Sequence, residues 1–486
     1  MPVLLVMLLV VPAAGAIACL LVPTKVAQLL TVSVGAGSFA ACIALVPAVT
    51  HHDISALRYL RVDALSVVFL LATSFLYATT AMYTVGYLKG EREAEDFERY
   101  ARRLYVGLNL FAWAMLCAPL VNGLALLWVA VEVTTVVSAL LVAIDDTDQA
   151  AEAAWKYVLL ASAGLGLALL GTIFMYYAGA QVVGQSYDLA FAPLLQAAPQ
   201  LPHTVVRLAF ILAVLGFGTK VGFFPVHTWL PDAHSEAPSP VSALLSGSLL
   251  AVSFYAVLRF YQITQASVGP RFPQDVLLVF GVASLALAAL YLIDQDDIKR
   301  MLAYSSVEHM GILAIGVSFG VRIALIGVLL HVLAHAAAKG NAFMGAGVFV
   351  RKFGTKQLSG MRAGLSVLPW SAPAFLLAVL ALTAAPPFGI FRSEFYIVSG
   401  GFGAGRNGAA AVLVTLVTLA FLGLAWATTR IVYSPGPISV VRGELSAWMV
   451  VPAVIGLAAL VLLGVHPPGN LVDLLTRGAA ELAGQL

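Results

Sequence analysis

The chain has 486 residues, 61% of them hydrophobic and only 10% charged, whereas soluble domains carry roughly 25% charged residues. This composition excludes a string of soluble domains and predicts an all-α, polytopic membrane protein. The formal net charge of +2 is small, and we expect no nucleic-acid partner. Cys19, Cys42 and Cys117 lie in apolar stretches without paired spacing, which argues against disulfides and thiolate metal sites.

Hydrophobic stretches of about 17–25 residues, each long enough for one bilayer crossing, follow one another along the whole chain. The first stretch lacks the basic start of a signal peptide, so we expect it to be retained. The strongly charged loop 89–103 is expected to be a solvated surface segment. About fourteen transmembrane helices are predicted, near residues 3–22, 27–48, 64–87, 104–118, 124–142, 153–178, 205–224, 241–261, 276–292, 301–319, 323–350, 368–398, 410–430 and 447–465.

No segment is long or polar enough for an extramembrane domain, so we predict a single membrane domain, 1–486. Any redox or nucleotide chemistry must then take place on other chains. Within the domain we expect N-terminal helices 1–3 in 1–103, a first repeat in 104–262, a second repeat in 274–432 and a last helix in 447–465.

The orientation follows from the basic residues of the loops. With an even number of helices, both termini lie on one side of the membrane. The loops that are cytoplasmic when the N-terminus is outside carry about twice the Lys and Arg of the opposite set. The positive-inside rule therefore places both termini on the outer, periplasmic side of an inner cell membrane.

Two apolar segments in the two halves of the chain are interrupted. The segment 205–225 carries Lys220 before a Phe-Phe-Pro break, and the segment 368–398 carries a Pro-Pro-Phe-Gly break followed by Glu394. Proline- or glycine-interrupted helices in corresponding positions are typical of transporter repeats. This pattern predicts a transport path that passes the two broken helices.

Lys220 lies deep in an apolar run between two glycines. An ammonium group at the centre of a membrane helix costs roughly 3 kcal/mol on insertion scales, so this lysine indicates an aqueous path or a buried partner. Glu132, which has no charged neighbour in its apolar stretch, is a candidate for this partner. In such a pair, movement of the lysine charge changes the proton affinity of the carboxylate. The alternative is a protonated acid that is hydrogen-bonded to a hydroxyl such as Thr134 or Ser138.

His331, His335 and Lys339 share one face of a predicted helix, because a spacing of four residues advances only about 40° per step. Three ionisable groups on one stripe indicate a proton path. A His-x₃-His pair could instead bind zinc, although the nearby lysine opposes this and an HExxH motif is absent. The same pattern also fits haem ligation or a packed polar core. We expect no metal on this chain.

Charged residues also lie near helix breaks and helix ends. Glu394 follows the second break and is assigned to the proton path. Arg392, two residues earlier, is either its partner or a loop residue. Lys156 and Arg259 lie close enough to the ends of their spans for an interfacial position.

Four more residues are further candidates for the proton path. Glu308 and His309 lie near the start of a predicted span, where an interfacial role fits the pattern equally well. His227 and His234 follow the first break and form either a polar mouth of the path or a hydrated loop.

At these residues the chain resembles a known family, the antiporter-like proton-translocating subunits of respiratory complex I, Mrp cation/proton antiporters and membrane-bound NiFe hydrogenases. The resembling stretches are LWVAVEVTT around Glu132, GFGTKVGFFPVHTWLPDAHSEAPSPVSALLSG around Lys220, DDIKRMLAYSSVEHMG around 299–311, HVLAHAAAKGNAF around 331–339 and APPFGIFRSEF around Glu394. Together they are spread over roughly residues 100–400. Within the family, HSEAPSP, AYSSVEHMG and AAPPFGIFRSEF are most similar to hydrogenase-4 component F.

The resemblance implies two inverted five-helix repeats, broken helices seven and twelve, and a central hydrophilic axis. It implies that Glu132 of helix five pairs with Lys220 of helix seven. It further implies that helix eleven supplies connecting residues and helix twelve a terminal group, namely His331, His335, Lys339 and Glu394. The chain departs from the family in helix eight, where Ser246 replaces the His or Lys of some members. Water or another residue must complete the path there.

The function implied is that of a proton-translocating membrane subunit of a respiratory or hydrogenase complex of the group 4 NiFe, formate-hydrogenlyase-like type. No cofactor is expected on this chain, and Fe–S clusters and a NiFe or quinone site are expected on partner subunits. Those partners would be other membrane subunits and a peripheral redox arm of a proton-pumping oxidoreductase. The alternative is a secondary cation/proton antiporter, or an ion-coupled uptake subunit, without redox partners.

Overall fold

The computed structural model describes residues 1–91, 96–184, 187–435 and 440–485, and nearly all of these residues are α-helical. The helices up to the first broken segment are α1 (Pro2–Leu21), α2 (Thr24–Val49), α3 (Ala64–Tyr87), α4 (Phe97–Leu120), α5 (Leu124–Val142), α6 (Asp148–Val183), α7 (Phe191–Ala197), α8 (His203–Val221) and α9 (Trp229–Glu236). The helices that follow are α10 (Ser239–Leu244), α11 (Leu250–Val268), α12 (Arg271–Tyr291), α13 (Ile298–Ser318), α14 (Arg322–Phe353), α15 (Gly364–Val367), α16 (Ser371–Leu382), α17 (Gly389–Gly403), α18 (Asn407–Tyr433), α19 (Ala447–Val465) and α20 (Gly469–Leu482).

Twelve helical segments in the described residues are long and apolar enough to cross a membrane, and α10 and α11 form one of them, Ser239–Val268. Helix α13 has 21 residues but a lower hydropathy, because it carries Lys299, Arg300 and Glu308. The short helices α16 and α17 together form one interrupted span. With these two additions the described part of the chain has fourteen helical segments of membrane-spanning length, in agreement with the predicted helical membrane architecture.

Polar ends extend two helices beyond their predicted spans. Helix α6 starts at Asp148 because the Thr147 hydroxyl accepts a hydrogen bond from the Ala150 amide at 3.1 Å and caps the helix. Helix α4 starts at Phe97, inside the charged loop predicted for 89–103. Its first turns expose Arg102 and Arg103 to solvent, as expected, whereas 92–95 of that loop lie outside the described residues.

The first break lies between α8 and α9, where the chain needs partners for the backbone groups that leave the helix. Gly222 ends α8 with φ of +87°, a left-handed conformation that suits glycine. The Trp229 indole donates to the Thr219 carbonyl at 2.7 Å, and the Phe224 amide donates to the Ser284 hydroxyl at 2.9 Å. These side chains satisfy the freed backbone, so the break persists inside the helix bundle.

The second break lies between the end of α16 at Leu382 and the start of α17 at Gly389. Each break contains a cis proline peptide, Phe224–Pro225 in the first and Pro386–Pro387 in the second. The breaks therefore lie where the sequence predicts them, one in each half. The division into the repeats 104–262 and 274–432 stays a prediction.

Small residues let α6 and α8 approach closely. A Cβ atom added to Gly216 of α8 would collide with the Ala168 amide nitrogen of α6, and one added to Gly171 would lie 2.8 Å from the Ala209 carbonyl oxygen. Close backbone approach at small residues is a usual way of packing membrane helices. This contact fixes α8, the helix that carries Lys220, against its neighbour.

A β-hairpin and the amphipathic helix α20 are two elements that the sequence analysis did not predict. The strands β1 (Ile54–Ala56) and β2 (Leu60–Val62) pair antiparallel, with Ser55 opposite Arg61. Helix α20 packs against α3. The Glu481 carboxylate of α20 accepts hydrogen bonds from the Ala64 amide at 3.1 Å and the Leu65 amide at 2.9 Å. Glu481 thus caps the start of α3.

Arg259, which the sequence places near the end of its span, is buried inside the helix bundle. The side chain is only 2% exposed, and its Nη2 atom lies 2.6 Å from Oδ1 of Asp63, which is 4% exposed. Asp63 also caps α3, because its carboxylate accepts a hydrogen bond from the Ser66 amide at 2.9 Å. Lys156, in contrast, is about half exposed and pairs with Glu152 at 2.7 Å, as its interfacial interpretation predicts.

Candidate functional site

Lys220 lies in the last turn of α8 and is fully buried. Its Nζ atom donates to the Val131 carbonyl of α5 at 3.0 Å and also to the Thr134 hydroxyl. The Thr134 hydroxyl donates in turn to the Val131 carbonyl at 2.6 Å. Polar atoms of α5 therefore provide the buried partner that the lysine requires.

Glu132 lies beside these two contacts on α5, yet it forms no ion pair with Lys220 within 4 Å in the described structure. The half-buried carboxylate lies next to Ser162 of α6 and interacts electrostatically with the Lys220 charge. Its Oε2 atom has no hydrogen-bond partner among the described residues. The predicted pair is therefore electrostatically coupled, and Lys220 has to leave Val131 and Thr134 before it contacts Glu132.

The hydroxyl groups near Glu132 are occupied by other partners. Thr134 is bonded to Lys220 and Val131, and the Ser138 hydroxyl donates to the Thr134 carbonyl at 2.5 Å. The alternative in which Glu132 is a protonated acid bonded to Thr134 or Ser138 is therefore not what the structure contains.

Ser246 lies in the π-helical segment Leu245–Leu249, which joins α10 to α11. Such segments are frequent at functional sites. Its hydroxyl lies 2.7 Å from the hydroxyl of Ser306 on α13, which itself donates to the Leu302 carbonyl at 3.0 Å. Ser246 must therefore donate to Ser306. Ser246, where the sequence has no ionisable residue, thus forms a hydroxyl contact with Ser306 of α13.

Lys339 of α14 is fully buried and binds α13. Its Nζ atom donates to the Leu302 carbonyl at 2.9 Å and to the Ser305 hydroxyl at 2.8 Å. Glu308 lies near Ser305 and interacts electrostatically with Lys339. The Leu302 carbonyl accepts from both Lys339 and Ser306 and so connects the two.

Glu308 and His309 are not interfacial residues. Both lie midway along α13, and they are 2% and 0% exposed. The sequence could not decide this point because the polar start of α13 hides where the span begins. The structure places both residues among the ionisable side chains of α14 and α17.

The imidazole rings of His309 and His331 form the centre of this cluster. His309 Nδ1 lies 3.1 Å from His331 Nε2, and His331 Nδ1 lies 2.9 Å from the Ser393 hydroxyl oxygen. Ser393 uses its own proton to donate to the Ile390 carbonyl at 2.8 Å, so it must accept from His331 Nδ1–H. In the neutral pair, His331 Nε2 is then the acceptor and His309 Nδ1 the donor. The remaining lone pair, on His309 Nε2, has no partner among the described residues.

His335 completes the predicted face of α14. Its ring centroid lies 5.1 Å from that of His309 and 6.2 Å from that of His331, and all three residues are fully buried. Neither nitrogen of His335 has a hydrogen-bond partner in 1–91, 96–184, 187–435 or 440–485. The shared face of His331, His335 and Lys339 is confirmed, and α13 covers it with a third imidazole.

Glu394 of α17 borders the cluster and is 8% exposed. One ring nitrogen of His309, one ring nitrogen of His331 and one carboxylate oxygen of Glu394 lie within 4.8 Å of one another. Arg392 forms no ion pair with Glu394 within 4 Å among the described residues, and its Nε atom donates to the Tyr396 hydroxyl at 3.0 Å. The Glu394 carboxylate instead interacts electrostatically with Glu308.

His227 and His234 lie on either side of the start of α9. His234 is fully buried, stacks on Phe343 of α14 with ring centroids 5.0 Å apart, and interacts electrostatically with Lys339. His227 is 6% exposed and lies beside Phe224 of the first break. The structure thus brings His234 to the central cluster and leaves His227 at the break.

Four hydroxyl residues of the site were missed by the sequence analysis, namely Ser162, Ser305, Ser306 and Ser393. A weak signal exists, because the pair Ser305–Ser306 directly precedes the stretch with Glu308 and His309, and Ser393 precedes Glu394. Serine is common in membrane helices, so this signal alone does not identify a site.

Comparisons with known proteins agree with this architecture. The family model described as "NADH:quinone oxidoreductase/Mrp antiporter, TM" matches residues 121–423. A hydrogenase-4 component F homolog from Methylacidiphilum infernorum is 37% identical over 365 residues, which are 74% of this chain and 76% of that protein. Hydrogenase-4 component B from Escherichia coli is 32% identical over 380 residues, 75% of this chain but only 54% of that longer protein.

A solved structure has the same fold. A chain of the Mrp complex from Dietzia sp. superimposes with a TM-score of 0.86 at 21% identity, covering 99% of this chain and 98% of that one. The predicted resemblance is thereby confirmed. The chain belongs to the NADH:quinone oxidoreductase/Mrp antiporter family and is one of its antiporter-like membrane subunits.

Proposed function

We propose that this chain carries protons across the membrane as a subunit of a multi-subunit redox complex of the hydrogenase type. One observation carries the proposal: buried ionisable residues on crossing helices are joined by hydroxyl groups and ring nitrogens. Idle charges are costly inside a bilayer, so such a series is typical of proton relays. The residues assigned to the path are Glu132, Lys220, Glu308, His309, His331, His335, Lys339 and Glu394. His227 and His234 are further candidates beside this path.

The first step takes place at Lys220 and Glu132. While Lys220 is bonded to Val131 and Thr134, its charge acts on Glu132 only at a distance. Movement of the ammonium toward the carboxylate favours the ionised form of Glu132 and releases its proton, whereas movement away favours proton uptake. The switch therefore couples a displacement of Lys220 to the loading of Glu132.

The histidine pair provides a later step by exchanging tautomers. A proton that arrives at His309 Nε2 allows His309 Nδ1–H to pass its proton to His331 Nε2 across 3.1 Å. His331 then carries a proton on both ring nitrogens, and the Glu394 carboxylate, which lies in the same cluster, can take one of them. The transfer from His309 to His331 requires no large movement, because its donor and acceptor atoms already face each other.

The energy and the redox chemistry would come from partner subunits. Hydrogenase-4 components are among the relatives, which supports other membrane subunits and a peripheral arm with Fe–S clusters and a NiFe or quinone site. In this arrangement the membrane is the inner cell membrane, with both termini on the periplasmic side. Co-purification followed by mass spectrometry should recover hydrogenase or quinone-reductase subunits. Recovery of small antiporter subunits alone would instead identify a cation/proton antiporter.

The proposal is tested by Lys220→Ala and Glu132→Gln in the assembled complex, reconstituted in vesicles. Both variants are expected to lower the number of protons transported per electron pair while electrons still reach the acceptor. Lys25→Ala is the control, because Lys25 is exposed on α2. Proton transport that is unchanged in both buried variants would rule out the mechanism.

A further inference from the structure

The cluster of His309, His331 and Glu394 has the composition of a metal site. Two imidazoles and one carboxylate are a frequent ligand set of zinc sites that keep a fourth position open. The ligand atoms of the three residues lie within 4.8 Å of one another, and all three side chains are buried. Tetrahedral Zn²⁺ with ligands at about 2.0–2.1 Å requires ligand separations of about 3.3 Å, so the ligand atoms must approach one another by up to about 1.5 Å.

The ligand atoms are already oriented for an ion. His331 Nδ1 donates to Ser393 at 2.9 Å, so its Nε2 lone pair points at His309. A hydrogen bond on the second ring nitrogen is the usual support of a metal-binding histidine. An oxygen of Glu394 has no hydrogen-bond partner in the described part of the chain, and neither does His309 Nε2. His309 can therefore bind an ion through Nδ1 and keep its proton on Nε2.

The charges near the cluster have opposite effects on a divalent ion. Glu394 and Glu308 are close enough to interact electrostatically, and together they can balance a charge of +2. The positive charge of Lys339 interacts electrostatically with His309 and disfavours a bound cation. The Lys339 ammonium is held away by the Leu302 carbonyl at 2.9 Å and the Ser305 hydroxyl at 2.8 Å. The carboxylates thus outnumber the one nearby cation.

We propose that His309, His331 and Glu394 form a binding site for Zn²⁺, and that the bound ion blocks the proton path. Zn²⁺ fits because it is bound well by imidazole and carboxylate and accepts a tetrahedral site. It would occupy the lone pair of His331 Nε2, the atom that receives a proton from His309. The block rests on the proposed function, whereas the binding does not.

Binding is tested with Zn²⁺ alone, added to the purified complex that contains the full chain. X-ray absorption at the zinc edge should show nitrogen and oxygen ligands at about 2.0–2.1 Å. His331→Gln and Glu394→Gln should each abolish this site. Ser393→Ala should lower the affinity about 10–100-fold, because it removes the support of a ligand and not the ligand itself. His52→Gln, an exposed histidine, is the matched control and should bind Zn²⁺ normally.

The outcomes separate the metal site from the proton path. Binding that survives both His331→Gln and Glu394→Gln, or that is lost in His52→Gln, would overturn the metal site. If such variants fold poorly, sulfur ligation or an all-oxygen shell in the native complex would overturn it equally. Zn²⁺ bound at the cluster without any loss of proton transport would confirm the site and contradict the proposed path. If Lys220→Ala loses proton transport but the native complex binds no Zn²⁺, the proposed path stands and only the metal site is contradicted.

Discussion

Hydroxyl groups hold the buried charges of this chain. Thr134 accepts a hydrogen bond from Lys220, Ser305 from Lys339 and Ser393 from His331. A hydroxyl accepts one hydrogen bond while it donates another, so it joins a charged group to its neighbour without adding charge. Buried cations without such partners would be far more costly.

Ser246→Ala tests whether a hydroxyl completes the path in the π-helical segment Leu245–Leu249. The variant removes the hydrogen bond to Ser306 at 2.7 Å, and proton transport is expected to fall about tenfold, which corresponds to the loss of one hydrogen bond of about 1.4 kcal/mol along the path. Ser253→Ala is the control, because this buried hydroxyl bonds only the Leu249 carbonyl of its own helix turn. Equal transport in the two variants would show that Ser246 has no part in the path.

The charged residues of the site could be predicted from the sequence, because a charge in an apolar stretch is conspicuous. Lys220, Glu132 and Glu394 were found in this way. Partners distant in sequence could not be predicted: Arg259 is 196 residues from Asp63, and the Glu308 position within its helix depends on packing. The hydroxyl partners were missed because nothing in their local sequence distinguishes them from other serines.

At the scale of elements, the contact between α6 and α8 determines where Lys220 lies. Gly216→Ala should lower the free energy of unfolding by about 1–3 kcal/mol, because the added methyl group collides with the Ala168 backbone. Gly166→Ala on α6 is the matched control. No atom lies within 4 Å of the added methyl group there, so this variant should be neutral or slightly stabilising. Thermal unfolding midpoints of the two purified variants check the expectation, and equal midpoints would contradict it.

The attachment of α20 to α3 is expected to depend on pH through Glu481, which lies outside the spanning helices. Burial and the nearby Asp63 carboxylate raise the pKa of Glu481 from 4.5 to about 7, although the Leu65 and Ala64 amides and Arg259 oppose this. Between these two values the folded chain keeps a proton that the unfolded chain has lost. The contribution of Glu481 to the free energy of unfolding is therefore highest below pH 4.5, falls as the pH rises to about 7, and then stays constant.

Unfolding midpoints between pH 4.5 and 8 test this dependence, and the loss can reach about 3 kcal/mol. In Glu481→Gln this contribution to the pH slope should disappear. The Nε atom of Arg477 lies 3.4 Å from the Glu481 carboxylate and pairs with it. The same slope in the variant and the native chain would assign the pH dependence to other groups.

The long apolar helices could be predicted because a bilayer allows few alternatives to a helix of about 20 residues. Helix α20 and the hairpin could not be predicted from long apolar stretches, because an amphipathic helix and two strands of three residues contain no such stretch. The ends of α4 and α6 were placed too far inside, because polar helix turns continue beyond the apolar stretch.

Across the whole molecule, the polar residues connect two broken helices. The first break follows Lys220, and the second precedes Glu394. Between them, the segment Leu245–Leu249 contributes the contact of Ser246, and α13 and α14 contribute the imidazoles and Lys339. Composition was enough to predict this membrane fold. The pairing of His309 with His331 was not predictable, because it depends on how two separate helices pack.

A path in series has a property that separate paths lack. If protons pass both Lys220 and Glu394, blocking either residue stops the same flow, and blocking both stops nothing more. Independent paths would instead lose separate shares of the transport. The difference distinguishes one connected path from two half-channels that work side by side.

The most direct measurement is the number of protons transported per electron pair by the assembled complex in vesicles. We predict that Lys220→Ala, Glu394→Gln and the double variant all reach the same reduced value, with electron transfer still measurable. Native transport in Glu394→Gln, or a double variant that loses the sum of the two single losses, would contradict a connected proton path.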